Sequence, residues 1–147
     1  MSDTSSNPYL NPPGAALPLT PYEEKQWSVL THVLGIFFSI IPALIFFLLY
    51  KDRGPFIRAH TATEWNFQLT VVIFSAVGFV LAFASIFTGI VTTSASSGPP
   101  PTLWLFFVGY FLVLGIRMTA MIFGIIAAIA AYRGRFYRYP LAIRFVK

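Results

Sequence analysis

The 147-residue sequence contains no cysteine and little charge, with ten basic and five acidic residues in all. Without thiols there are no disulfides, thiolate metal sites or cysteine nucleophiles. Charged residues make up 10% and hydrophobic residues 56%, whereas a soluble domain carries about 25% charged residues. The long apolar runs also lack a polar face at the 3.6-residue period, which excludes a soluble all-helical core. No basic n-region precedes the first apolar run, which starts too late and runs too long for a secretory signal peptide. Neither a phosphate loop nor a Ser-His-acid pattern is present, so the sequence points to no enzyme and no cofactor.

What is present is apolar and aromatic. Phe occurs 16 times and aromatics reach 18%, with a mean hydropathy of +0.72. Apolar runs over about 27–50, 62–91 and 103–132 each meet the roughly 20 residues that a helix needs to cross about 30 Å of hydrocarbon. The expected fold is an all-α integral membrane protein. It has a disordered Pro-rich leader (1–20) and a membrane domain (21–147) with three transmembrane helices at about 21–52, 61–91 and 102–132. A basic aromatic C-terminal tail follows the last helix.

Local signals set these boundaries. Thr20, Pro21 and Glu23 form a capping box with proline in the first turn, and Trp27 suits a membrane interface. Pro42 is expected to kink the first helix, and Arg53, Gly54 and Pro55 to end it. Thr61 and Glu64 read as a second capping box. Small residues recur at helical spacing on every run: Gly35, Ser39 and Ala43; Ser75, Gly78, Ala82, Ser85 and Gly89; Gly124, Ala127, Ala128 and Ala131. Such stripes let helices approach closely in a membrane. Pro99, Pro100 and Pro101 break the chain before Thr102.

Charge is distributed unevenly. The 51–60 link carries Lys51, Arg53 and Arg58, the segment after residue 132 carries five cations and no acid, and the 92–101 loop carries none. By the positive-inside rule the link and C-terminus are cytoplasmic, and the N-terminus and the 92–101 loop lie outside. The expected location is a bacterial inner (cell) membrane. The tail cations Arg133, Arg135, Arg138, Arg144 and Lys147 directly follow a membrane helix. Anionic lipid headgroups are therefore their expected contacts, and nucleic acid is not.

Candidate functional residues are the polar ones in or near the membrane. Arg117 falls midway along the last helix, where a charge costs about 2.5–3.5 kcal/mol. It either lines a polar path or snorkels to the outer headgroups, with Ser85, Thr88 and Thr92 in reach. His32 either shuttles protons or packs with a satisfied hydrogen bond. Glu64 has Arg58 and His60 nearby for pairing, and Asn66 and Gln68 suit interhelical hydrogen bonds. In the three-span arrangement His32 and Glu64 lie at opposite membrane faces and make no metal site.

Two blocks carry a family resemblance. One comprises Lys51 and Asp52, Pro55 and Phe56, His60, and the run Asn66, Phe67, Gln68. The other comprises Gly134 and the run Phe136, Tyr137, Arg138, Tyr139, Pro140. With Trp27, His32 and Pro42 they resemble DUF4870, a family of small bacterial membrane proteins distantly similar to the twenty-kilodalton Tic subunit of the chloroplast import machinery. The resemblance implies a multi-pass membrane protein and no defined activity. Two functions fit these readings. The first is a structural or accessory subunit whose small-residue stripes pack against other membrane proteins or itself. The second is a homo-oligomeric pore or carrier lined by Arg117 and the start of the second helix.

Overall fold

The computed structural model describes residues 17–93, 99 and 102–146; the expected disorder of the leader up to residue 16, most of the 94–101 loop and Lys147 lie outside it. Four helices and no strand occur among the described residues: α1 (Pro21–Phe38), α2 (Ile40–Tyr50), α3 (Pro55–Thr93) and α4 (Leu103–Tyr132). The start of α1 follows the capping-box reading. The Thr20 hydroxyl accepts from Glu23 N, and the Glu23 carboxylate accepts from Thr20 N at 2.8 Å.

The helix expected over 21–52 is two helices folded into a hairpin. The Trp27 ring lies 5.8 Å from Phe46 and 5.0 Å from Tyr50. In one continuous helix, residues 27 and 46 would be about 28 Å apart. Leu19 N also donates to Arg53 O, which brings the two ends of the hairpin together. The cause is legible at Pro42. Its ring would strike the carbonyl of residue 38, and it has no N–H to continue the helix. As the third residue of α2 it needs no donor. The turn falls on Ser39, with φ 57° and ψ −128°, a conformation costing about 1–3 kcal/mol in a non-glycine residue. Ser39 lies only about 18 Å along α1 from Trp27, so the hairpin is shorter than the roughly 30 Å of a full crossing.

The second helix begins at Pro55 rather than at 61. Proline is well suited to the first position, where no N–H is required, so Gly54 and Pro55 link α2 to α3 instead of ending a membrane span. Thr61 and Glu64 are internal to α3 and cap nothing; the Thr61 hydroxyl donates back to Ile57 O. The cap comes from α1 instead. One carboxylate oxygen of Glu24 accepts from Phe56 N at 2.7 Å and Ile57 N at 3.0 Å. A negative group there is favoured by the α3 dipole and its free N–H groups. Glycine at 54 permits this approach, because a Cβ would collide with the Glu24 carboxyl.

Two helices, α3 and α4, are long and apolar enough to cross a membrane. They extend roughly 58 Å and 45 Å at 1.5 Å per residue. Among the described residues, then, two helices are of spanning length, and a hairpin of two shorter helices stands where one long first helix was expected. The small-residue stripes mark the crossings. Gly78 faces Gly109 and Val113, Gly124 faces Ile36 of α1, and Ala127 and Ala131 are completely buried. A Schellman turn closes α4: Gly134 takes φ 69°, Gly134 N donates to Ala131 O, and Arg135 N donates to Ala130 O.

The C-terminal tail then folds back along α3. Tyr139 stacks on Phe67 at 3.8 Å, Ile143 N donates to Thr70 Oγ1, and Asn66 bonds the backbone of Phe145 and Val146. The tail is pinned structure, not a free basic extension. The 17–20 segment, the link and the tail share one end of the bundle, where Lys25 sits over the Tyr132 ring and Phe56 packs on Phe136. At the other end Thr102 bonds Ser85 and Thr88.

Candidate functional site

Because the hairpin brings α1 back beside the start of α3, side chains far apart in sequence meet in a buried polar chain. On α3, residues 57, 60, 61, 64 and 68 fall on one face, and Ile57, His60, Thr61, Glu64 and Gln68 are all buried. Against this face α1 presents Ser28, Thr31, His32 and Gly35, also buried. Glycine at 35 is required: a Cβ there would collide with Glu64 and sit 3.0 Å from Gln68 Nε2.

Glu64 is the centre. Its Oε2 lies 2.6 Å from His32 Nδ1 and also accepts from the Tyr139 hydroxyl. Its Oε1 accepts from Gln68 Nε2 at 2.7 Å. The second N–H of that amide goes to Gly35 O at 3.1 Å, and its Oε1 accepts from the Ser39 hydroxyl at 3.1 Å. Ser39 Oγ in turn accepts from Arg117 Nη1 at 3.3 Å. Donation therefore runs from Arg117 through Ser39 and Gln68 to Glu64, and from His32 and Tyr139 to the same carboxylate. A buried carboxylate needs such compensation, since an unpaired one would cost several kcal/mol.

On the outer side, His32 Nε2 lies 2.8 Å from His60 Nδ1. His60 Nε2 approaches the Arg135 backbone but makes no hydrogen bond of normal geometry, and the ring is covered by Phe56 and Phe136. Burial pushes the Tyr139 hydroxyl well above the ordinary tyrosine range, and the charge on Glu64 adds to this. Tyr139 consequently stays protonated and serves as a donor. The line His60, His32, Glu64 is continuous at hydrogen-bond distances, and the chain of hydrogen bonds ends at Arg117. Beyond that, Gly78, Ala82 and Gly109 bring the α3 and α4 backbones together.

Several expectations require correction. His32 and Glu64 are not at opposite faces but in direct contact, because the hairpin returns α1 to the level of α3. Glu64 pairs with His32, while Arg58 is exposed. Arg117 donates to Ser39 of the hairpin turn and does not bond Ser85, Thr88 or Thr92: Ser85 and Thr88 bond Thr102, and the Thr92 hydroxyl donates to Thr88 O. Asn66 faces away from the network and holds the tail. His60, Ser39, Glu24 and Tyr139 were missed as members of the site. The i, i+4 spacing of His60 and Glu64 signals the shared face once Pro55 is taken as the helix start, whereas nothing local marks Tyr139. Among the described residues, no three His, Asp or Glu side chains form a group able to hold a metal.

Residues 23–146 match the family MamF/MmsF, described as the magnetosome magnetite crystal formation protein family. The chain belongs to the MamF/MmsF family. The match takes in α1 from its third residue, the other three helices, the polar chain and the pinned tail. It overturns the resemblance to DUF4870 and, with it, the distant likeness to the Tic subunit. The residues that carried that resemblance have structural roles here: Pro42 opens α2, His60 joins the buried chain and Tyr139 stacks on Phe67. No curated protein and no solved structure matches the MamF/MmsF chain. Membership makes it a small membrane protein of the magnetosome family.

Proposed function

We propose that this chain is a non-catalytic accessory protein of the magnetosome membrane, serving magnetite crystal formation by holding a partner membrane protein. The observation that carries this reading is the shortness of the α1–α2 hairpin beside the two long helices. Beyond the hairpin's tip the α3–α4 pair is bare, and a groove of about 390 Å³ opens there, lined by Phe79, Phe83, Ile86, Tyr110 and Leu114.

A partner transmembrane helix with an apolar face suits this groove, whose lining surface is wholly apolar. Direct templating of the mineral is disfavoured, because the 94–101 loop has no carboxylate or imidazole with which to hold iron. A pore is disfavoured by the close packing at Gly78 and Gly109.

The experiment is gentle detergent extraction followed by native mass determination. A stoichiometric larger membrane protein should accompany the wild type. Its recovery should fall at least fivefold when Phe83→Ala and Leu114→Ala strip the groove wall. A bare chain, or a partner recovered equally with the stripped variant, would overturn the reading.

Orientation follows from the charges. The leader end, link and tail share one end that carries the described basic residues of the link and tail, so this end is cytoplasmic by the positive-inside rule. In sealed vesicles, Leu17→Cys, Asp52→Cys and Arg144→Cys should react with an impermeant maleimide from one side and Pro99→Cys from the other. Leu17→Cys reacting with Pro99→Cys, apart from Asp52→Cys, would restore three spans.

A further inference from the structure

The folded-back tail creates a basic pocket that the buried chain does not use. Arg138 and Arg144 lie on its two limbs, before and after the turn at Pro140 and Leu141, and both line one cavity of about 480 Å³. Across from them α3 contributes Ala59, Thr63 and Asn66. Among the described residues neither guanidinium meets a carboxylate, and the only ion pair is that of His32 with Glu64. Two arginines lining one cavity, with no carboxylate beside them among the described residues, are suited to a phosphate oxyanion.

Depth identifies the source of that phosphate. The cavity lies beside residues 59–66 of α3, at the end of the bundle that carries the link. Immediately deeper, beside Phe67, Thr70, Val71 and Phe74, an apolar groove of about 440 Å³ runs between α3 and α4, with Leu141 of the tail at its edge. The step from one to the other is one to two helical turns, about 5–10 Å. Charge at the headgroup level above an apolar slot at the acyl level is the arrangement of a phospholipid.

We propose that the tail and α3 form a binding site for a single anionic phospholipid, with its phosphate between Arg138 and Arg144 and an acyl chain in the α3–α4 groove. The site lies near Leu141, away from the groove proposed for a partner helix, and is independent of that reading. It also distinguishes these two arginines from Arg133 and Arg135, which belong to the same basic segment but line neither cavity.

The test uses the full chain purified in neutral detergent, with phosphatidylglycerol and phosphatidylcholine as probes and retained lipid read by native mass spectrometry. Wild type should retain one phosphatidylglycerol at least tenfold over phosphatidylcholine. Arg138→Gln with Arg144→Gln should lose that preference, while Arg133→Gln with Arg135→Gln, an equal loss of charge, should keep it. Gly115→Leu tests the acyl slot without an internal clash, because a Cβ at 115 meets nothing within 4 Å. It should lower retention severalfold at an unchanged melting temperature. Equal loss in both arginine pairs would mean diffuse surface charge and overturn the proposal. Displacement of the lipid by millimolar inorganic phosphate would assign a free-anion site and overturn it too. Retention unaffected by Gly115→Leu would remove the acyl slot.

Discussion

Glu64→Ala is expected to leave little folded protein in detergent extracts. The substitution strands His32, Gln68 and Tyr139 at once, all of which are buried against that carboxylate. Each buried polar group left without its partner costs about 1–3 kcal/mol, and the three together amount to a large part of a typical stability of about 5–15 kcal/mol. It also frees the far end of the relay, since Gln68 fixes Ser39, whose positive φ at the hairpin turn depends on surrounding contacts. Glu64→Gln preserves the volume and the acceptor facing Gln68 or Tyr139. It loses the charge and sets an amide donor against another donor, for about 1–3 kcal/mol. Melting temperatures in one detergent should rank wild type, Glu64→Gln and Glu64→Ala in descending order. A Glu64→Ala melting temperature equal to that of the wild type would show that the polar chain is dispensable.

The second large effect concerns the crossing of α3 and α4. Gly109 approaches Gly78 so closely that a Cβ would collide with the Gly78 carbonyl and lie 2.9 Å from Ala82 N. These obstacles are backbone atoms, which cannot rotate away, so Gly109→Leu must separate the two long helices. Overpacking in a core costs about 1–3 kcal/mol where side chains can adjust, and a backbone collision should exceed this. Gly109→Leu should abolish the monodisperse peak in size exclusion, whereas Gly115→Leu on the same helix should elute as the wild type does. Similar behaviour of the two variants would refute this crossing geometry. The contrast is stringent because both substitutions add the same apolar volume to α4.

The helical content and the membrane setting were legible from composition and run length. The small-residue stripes were legible as contact faces: Gly78 and Ala82 meet Gly109, and Gly124 meets Ile36. The Thr20 and Glu23 box also stands as read, because a capping box is settled within four residues of chain. Pro42 illustrates the limit of such reading. Its incompatibility with an uninterrupted helix was visible, but a kink and a reversal satisfy the same local rule. The reversal prevails because it lets Trp27 stack on Tyr50 and pack against Phe46, and lets Glu24 cap α3. Pro55 was ambiguous in the same way, since proline follows one helix as readily as it begins another.

By itself, then, the sequence determined an all-helical membrane protein whose polar residues are too few to be incidental. It also marked His32, Glu64, Gln68 and Arg117 as worth explaining. Only the tertiary structure decided that these four join in one chain through Ser39, and that His60 and Tyr139 complete it. It also decided that Asn66 serves the tail instead. The physical reason is separation. His32 lies 32 residues from Glu64, and Tyr139 lies 75 from it. No helical period relates such positions. Their meeting follows from one reversal at Ser39 and a tail folded back onto α3, and both are settled by packing.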